Sequence, residues 1–160
     1  MSTVDSAGFP GEDRSFGGTG LYVDLIPSSS FGHNVRAMVT KTQWNAIRKI
    51  VIDRCGRRCE CCGRICDKRI DVHERWHFDE PTRVQALVRL VGLCVACHEA
   101  THYGLAVVRG RDRFARRHLM RVNGWSEEKT DVHIHEAFEV HKARSQFAWM
   151  PDVAIVRNFF

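Results

Sequence analysis

The longest helical pattern in the first half of the chain begins after Thr40. Thr40 and Gln43 give a T-x-x-Q start, which is the signature of a capping box at a helix N-terminus. Apolar residues then recur every three or four positions as far as Cys55, and Gly56 follows as a residue suited to ending a helix. The pattern predicts one amphipathic helix over about 40–55.

Two strands and a short helix are predicted in the middle of the chain. Residues 69–78 alternate apolar and polar side chains, and residues 82–93 form a second strand-like run after a short turn. A helix is expected from about Cys94 to Tyr103, before a glycine. Another apolar run, at 21–26, also has the composition of a strand.

The two ends of the chain have different patterns. Residues 1–20 contain five glycines and no apolar periodicity, so we expect a mobile arm there. Two further helices are predicted after the middle segment, one at 111–123 and one from Ser126 to about Phe147. They form a predicted C-terminal helical extension over 109–150.

Length and composition favour one α+β domain over 21–160, with a ββα core at about 59–103, one helix before it and two after. The chain has 160 residues, 44% hydrophobic and 27% charged, which allows a globular core but excludes a large barrel or doubly wound enzyme. No apolar run approaches the roughly 18 residues needed to cross a bilayer. The first residues also lack the pattern of a secretory signal. We therefore expect a cytoplasmic protein without a membrane partner.

The seven cysteines favour metal binding over disulfides, because the cytoplasm keeps thiols reduced and an odd number cannot all pair. Two C-x-x-C knuckles are present, Cys59 with Cys62 and Cys94 with Cys97. Four thiolates on two tight turns provide the tetrahedral sulfur shell that Zn²⁺ prefers, so we predict a structural zinc ion. The remaining three are expected to be a core residue and two bystanders: Cys55, Cys61 and Cys66. Of these, Cys66 stays open as an additional ligand.

Three histidines form a second candidate site. His98 and His102 lie one helical turn apart, and successive helix residues diverge by about 100°, so both are expected to point away from the zinc ligand Cys97. His73, on the first predicted strand, can face them. Asp71 shares a face of that strand with His73, because alternate strand residues point the same way.

Other assignments of the histidines stay open. His77 has the same strand parity as His73 and is a reserve candidate. A mixed Cys₂His₂ zinc site is also compatible with the spacing, with the second knuckle left as structural thiols. Its ligands would be Cys59, Cys62, His98 and His102. The other histidines are expected at the surface or on helix faces: His33, His118, His133, His135 and His141.

The chain resembles the HNH endonuclease superfamily in three segments. These are C-x-x-C-G at 59–63, the strand I-D-V-H-E-R-W at 70–76 and L-C-V-A-C-H-E-A-T-H at 93–102. A softer likeness to small bacterial and phage members begins at V-N-G-W-S, 122–126. With that tail, the resemblance covers about residues 21–156.

This resemblance implies a ββα-metal nuclease that hydrolyses phosphodiester bonds in DNA, in the cytoplasm of a bacterial or phage-infected cell. A catalytic ion, which would be Mg²⁺, Mn²⁺ or a second Zn²⁺, would be held by His98, His102 and His73. The base that deprotonates water would be His73 or Glu74.

The likeness departs from the family pattern at two points. HNH nucleases usually carry a metal ligand followed by a base on the strand, and here the pair is either Val72-His73 or His73-Glu74. They also carry an Asn before the helix, whereas residues 87–91 contain none. A second function therefore stays open, namely a catalytically degenerate zinc module that serves as a nucleic-acid-binding, adaptor or structural phage-assembly protein.

Positive charge is concentrated in one predicted helix. The formal net charge is +5, and residues 109–121 contain six arginines against one aspartate. Four of the arginines fall on one helix face: Arg113, Arg116, Arg117 and Arg121. This face is either solvated or in contact with duplex DNA, and we favour DNA because arginine matches phosphate geometry. Further arginines beside the first knuckle are expected to extend the patch: Arg54, Arg57 and Arg58.

Overall fold

A computed structural model describes residues 8–160 of the chain. Within this range the fold is α+β, with seven helices and a mixed three-stranded sheet in the order β1-β2-β3. The elements are α1 (Val35–Met38), α2 (Lys41–Arg54), β1 (Asp71–Asp79), β2 (Val84–Leu93), α3 (Val95–Thr101), α4 (Tyr103–Val108), α5 (Asp112–Asn123), α6 (Glu127–Arg144), β3 (Met150–Asp152) and α7 (Ala154–Arg157).

The two central strands form the predicted hairpin. β1 and β2 pair antiparallel, with His73 opposite Val91. The register shifts after Arg75, so that Val88 of β2 has no partner on β1 and forms a bulge. β1 is an edge strand, because the short β3 pairs in parallel with the other side of β2.

Local capping signals set the helix boundaries that the sequence predicted. The Thr40 hydroxyl accepts from the Gln43 N–H at 3.2 Å, and the Gln43 side chain accepts from the Thr40 N–H at 3.0 Å, which completes the capping box of α2. Gly124 ends α5 in the left-handed conformation, with φ +65°. Ser126 caps α6 by accepting from the Lys129 N–H.

The helix predicted over about 94–103 is interrupted. α3 ends at Thr101, and His102 has φ −88° and ψ 52°, outside the helical region, before α4 begins at Tyr103. We predicted one helix before the ββα core and two after it, and this number of helices is wrong. Two helices precede β1 in the described residues, and four follow α3. His102 consequently lies at a break between two helices rather than inside one.

The segment 21–26, predicted as a strand, is extended but pairs with no strand of the described chain. Side chains of the C-terminal helices bind its backbone instead. Asn123 accepts from the Leu21 N–H and donates to the Leu21 carbonyl, while His133 Nε2 accepts from the Val23 N–H at 2.9 Å. The Asp24 N–H donates to the carbonyl of Thr101.

The described part of the predicted mobile arm, residues 8–20, lies against the sheet. Phe9 is buried, and the Asp13 N–H donates to the carbonyl of the bulge residue Val88 at 2.9 Å. Glu12 forms a buried ion pair with Arg54 of α2 at 2.8 Å. Residues 1–7 of that predicted arm lie outside the described residues.

Two apolar cores cover the two faces of the hairpin. One contains Val91 and Leu93 together with the buried cysteines, and α3 and α5 pack over it. The other contains Trp76, Phe78 and Leu90 and is covered by α2 and α7. Among the described helices, none combines the length and apolar character needed to cross a membrane.

Candidate metal centres and the basic groove

The four knuckle cysteines meet at one point between the chain segment before β1 and the start of α3. The sulfur atoms of Cys59, Cys62, Cys94 and Cys97 all lie within 4.8 Å of one another. Cys94 is also the N-cap of α3, where its sulfur accepts from the Cys97 N–H at 3.4 Å. The second knuckle is therefore the first turn of this helix.

The cysteine cluster suits a tetrahedral zinc ion. Zn–S bonds of about 2.3 Å require sulfur atoms roughly 3.8 Å apart. The sulfurs of Cys62 and Cys94 are 3.7 Å apart. Hydrogen bonds from the thiols of Cys94 and Cys97 hold the pKa of Cys59 well below its usual range, and the same bonds raise the pKa of the two donors. One of the four sulfurs is therefore favoured as a thiolate, which is the form that binds metal.

Cys55, Cys61 and Cys66 lie outside this cluster, so Cys66 is not an additional ligand. Cys66 is the buried one of the three, and Cys55 and Cys61 are half-buried. The structure adds a contact that sequence reasoning missed. Nε2 of His118, on α5, lies 3.1 Å from the sulfur of Cys97. A ring N–H at that position donates to the Cys97 sulfur and ties α5 to the cluster. No local spacing signals this contact, because 21 residues separate the two side chains.

The three predicted histidines form a second, separate cluster. One ring nitrogen of each of His73, His98 and His102 lies within 4.8 Å of those of the other two. The ring centroids are 4.6–5.8 Å apart, and the rings meet edge to face. The alternative Cys₂His₂ site is wrong, because the cysteines group with each other and the histidines do the same.

Two carboxylates fix the orientation of these imidazoles. His98 Nδ1 is 3.0 Å from Asp71 Oδ2, and His73 Nε2 is 3.2 Å from Asp24 Oδ2. Each contact leaves the other ring nitrogen free for a ligand, an arrangement common around metal-binding histidines. Asp24 was not identified from the sequence, since it lies 49 residues before His73 in an irregular segment.

Burial favours the neutral form of two of the imidazoles. It lowers the pKa of His98, with a further decrease from the charge of His73 that Asp71 partly offsets. Burial lowers the pKa of His102 to about 3, with a smaller decrease from His73 and His98 when those rings are protonated. Neutral imidazole is the form that coordinates a metal ion.

Glu74 and His77, the other candidates on β1, are separate from the histidine cluster. Glu74 accepts a hydrogen bond from the Val35 N–H at 2.9 Å, and burial raises its pKa to about 7. His77 is exposed and packs edge-on against Phe16.

A cavity of about 650 Å³ opens beside the histidine cluster. His73, His98 and His102 line it, and Glu74 reaches it from the other side of the edge strand β1. Most of the remaining lining is apolar. A molecule bound in this cavity would therefore contact the three imidazoles directly.

The four arginines predicted to bind DNA have different environments. Arg117 and Arg121 are exposed and line a groove beside the cysteine cluster. Arg113 is exposed but does not line that groove. Arg116 is bound by both carboxylate oxygens of Asp131, at 2.6 and 3.0 Å, so its charge is largely neutralised.

We call the groove beside the cysteine cluster the basic groove. Its basic residues outnumber its two acidic residues, Asp67 and Glu99, three to one: Arg64, Lys68, Arg69, Arg111, Arg117 and Arg121. Arg69 also lines an adjoining depression that contains His98. Further cations of that depression are Arg36, Lys41 and Arg48. Positive charge therefore borders the histidine cluster at His98, and Arg69 continues this surface into the basic groove.

The predicted extension of the patch through Arg54 is wrong, because this side chain is 4% exposed and bound to Glu12. Arg57 donates to the carbonyls of Cys66 and Asp67 and so supports the first knuckle. Arg58 is exposed and donates to the carbonyl of Gly63 in the same turn.

Comparisons of the chain with protein-family models, curated proteins and solved structures find no match.

Proposed function

We propose that this chain is a metal-dependent phosphodiesterase of HNH type that acts on DNA. The observation that carries the proposal is the convergence of three imidazoles within 4.8 Å of each other, one of which, His98, lines a depression rich in cations. These cations are Arg36, Lys41, Arg48 and Arg69. The hairpin and following helix that carry the imidazoles are held together at the cysteine cluster. Such a ββα order is what the sequence resemblance to HNH nucleases leads us to expect.

The reaction is hydrolysis of one phosphodiester bond. The oxygen of water forms a bond to phosphorus, one bridging P–O bond breaks, and the proton of water passes to a base while the leaving oxygen gains a proton. A divalent ion on His98, His102 and His73 would stabilise the charge that develops on the phosphate. The cations of the depression at His98 bind the nearest phosphates, and the five arginines and one lysine of the basic groove bind phosphates further along the strand.

The base that deprotonates water is either His73 or Glu74. If His73 is the base, Asp24 orients its ring at 3.2 Å, as a carboxylate does in many histidine-dependent sites. If His73 is a ligand, Glu74 is the side chain of β1 that reaches the same cavity and can accept the proton.

The alternative is a catalytically degenerate module that binds nucleic acid without cleaving it. It is favoured by the absence of an Asn in the bulged segment 87–91 of β2, where HNH nucleases carry one. In this function the cysteine cluster still holds a structural zinc ion and the basic groove still binds phosphates. The imidazoles bind no catalytic ion.

Relaxation of supercoiled plasmid tests the proposal. The zinc-loaded chain is expected to nick plasmid slowly with added Mg²⁺ or Mn²⁺, and His98→Ala should abolish nicking without loss of the zinc ion. His77→Ala is the matched control, because this exposed histidine on β1 is outside the cluster. A parent chain that binds plasmid but leaves it intact with every divalent ion would support the degenerate module.

The same assay separates the roles of His73 and Glu74. A variant that lacks the base should lose turnover but keep its affinity for the divalent ion, whereas a variant that lacks a ligand should lose both. His73→Ala and Glu74→Ala are therefore compared in plasmid nicking and in Mn²⁺ binding.

A further inference from the structure

The cavity beside the histidine cluster is more apolar than a site for phosphate alone would be. Its lining includes Trp76, which is buried, together with Leu25 and Phe138. Its rim carries apolar side chains that are exposed to solvent: Phe31 at 71%, Leu105 at 47% and Val108 at 83%. A cavity of this shape indicates a ligand with a large apolar surface.

Unpaired polar atoms occur among these apolar side chains. Ser30 is 1% exposed, lines the cavity, and its hydroxyl has no hydrogen-bond partner in the described part of the chain. His33 also lines the cavity, and its Nδ1 atom is buried and likewise without a partner among residues 8–160. A buried polar group without a partner destabilises the fold, because it loses its hydrogen bonds to water and gains none in exchange. These atoms therefore indicate that the bound molecule supplies hydrogen bonds.

We infer that the cavity receives a nucleobase whose phosphate lies at the histidine cluster. The inference rests on the proposed function and specifies its substrate class, which is nucleic acid with an unpaired base next to the cleaved bond. A base in a paired duplex is stacked and hydrogen-bonded, so it enters such a cavity only after leaving the stack.

The chemistry of a nucleobase fits the lining better than that of an apolar peptide side chain. The flat faces of a base stack against aromatic and apolar walls such as Trp76, Phe31 and Phe138. Its edge carries both donors and acceptors, which can pair with the Ser30 hydroxyl and with His33 Nδ1. An apolar side chain would leave both atoms unpaired.

The position of the cavity also fits a nucleotide. A base is one sugar away from its phosphate, and the three imidazoles line the same cavity as the apolar walls. The depression that holds Arg36, Lys41 and Arg48 contains His98 as well, so cations are placed to bind the neighbouring phosphates.

Fluorescence of 2-aminopurine tests the inference by binding alone. The zinc-loaded full chain is titrated, without added Mg²⁺ or Mn²⁺, into a duplex with one bulged 2-aminopurine and into a fully paired duplex of equal length. The bulged probe is expected to bind at least about tenfold more tightly, which is the size of one base–aromatic stacking contact. Its fluorescence should change on binding. Equal affinity for the two probes would overturn the inference.

Variants at the exposed rim locate the base. Leu105→Trp and Val108→Trp each place a bulky ring at the mouth of the cavity and should reduce the preference for the bulged probe to less than about twofold. Val107→Trp is the matched control, because Val107 is 48% exposed on the same helix but does not line the cavity. A preference that persists in both rim variants would contradict this location of the base.

The outcome is independent of cleavage. A chain that nicks paired plasmid with no preference for bulged probes keeps the proposed function and loses this inference. A chain that prefers bulged probes but cleaves nothing keeps the cavity assignment and loses the proposed function.

Discussion

Asp71 Oδ2 lies 3.0 Å from Nδ1 of His98, which joins the edge strand β1 to helix α3 at the histidine cluster. The other carboxylate oxygen of Asp71 accepts from Nε of Arg69 at 2.6 Å. Arg69 lines the basic groove and the depression that contains His98. One carboxylate therefore connects the candidate metal ligand to the surface that would bind phosphate.

Asp71→Asn is expected to weaken divalent-ion binding by about 10–100-fold, because the Asn side chain is a weaker partner for the His98 ring and allows it to rotate. Isothermal titration with Mn²⁺ measures the change. Asp67→Asn is the control, since Asp67 is an exposed carboxylate of the basic groove outside both clusters. Equal affinity of the parent and Asp71→Asn would show that this contact does not orient the ligand.

Cys94→Ser is expected to remove the zinc ion and the cooperative unfolding transition together, because binding of a structural metal contributes directly to folding free energy. Elemental analysis and thermal unfolding followed by circular dichroism measure the two effects. Cys61→Ser should retain both, since Cys61 is half-buried but outside the cluster. A metal-free parent that unfolds cooperatively would contradict the zinc assignment.

Glu12→Gln is expected to destabilise the fold by about 3–5 kcal/mol at pH 7, since it leaves the Arg54 charge buried without its partner. Burial alone would raise the pKa of Glu12, but hydrogen bonds from Arg54 and the Leu90 N–H, with the charge of Arg54, bring the pKa below its usual 4.5. A carboxylate with a lowered pKa stabilises the fold above its unfolded pKa, and this contribution is lost as the pH falls.

Urea unfolding at several pH values should therefore show that the difference between the parent and Glu12→Gln narrows below about pH 4.5. Asp53→Asn is the control, because Asp53 pairs with Lys49 on the exposed face of α2. That variant is expected to change stability by less than about 0.5 kcal/mol. A difference for Glu12→Gln that stays constant from pH 7 to pH 3 would contradict the ion-pair account.

The parts of the fold that depend on neighbouring residues could be predicted from the sequence. The Thr40–Gln43 capping box and the Gly124 stop act within one turn of their helices. The hairpin follows from the alternation of apolar residues on β1, and the cysteine cluster follows from two knuckles of fixed spacing.

The parts of the fold that depend on residues far apart in the sequence could not be predicted. The run at 21–26 has strand composition, but whether it joins a sheet depends on a partner, and here Asn123 and His133 take that place. The Glu12–Arg54 pair spans 42 residues and no periodicity indicates it. The pairing of β3 with β2 and the contact of Asp24 with His73 also join residues far apart in the sequence, so no local pattern indicates them.

Replacing Arg117 and Arg121 together by Ala is expected to weaken DNA binding for all sequences and to reduce the slope of log K against log salt by roughly 0.9 for each lost phosphate contact. Both side chains line the basic groove. Arg116→Ala should change the slope far less, because Asp131 already binds that guanidinium. Filter binding between 50 and 200 mM salt measures the slope. Equal effects of the double variant and Arg116→Ala would contradict the groove assignment.

Metal content tests most directly whether the three imidazoles form a centre separate from the cysteines. After dialysis against Zn²⁺ or Mn²⁺, the parent chain is expected to retain two ions, one at each cluster, and His98→Ala to retain only the ion at the cysteines. The proposed catalytic centre would be contradicted by a parent chain that holds a single ion, or by a His98→Ala variant that holds as many ions as the parent.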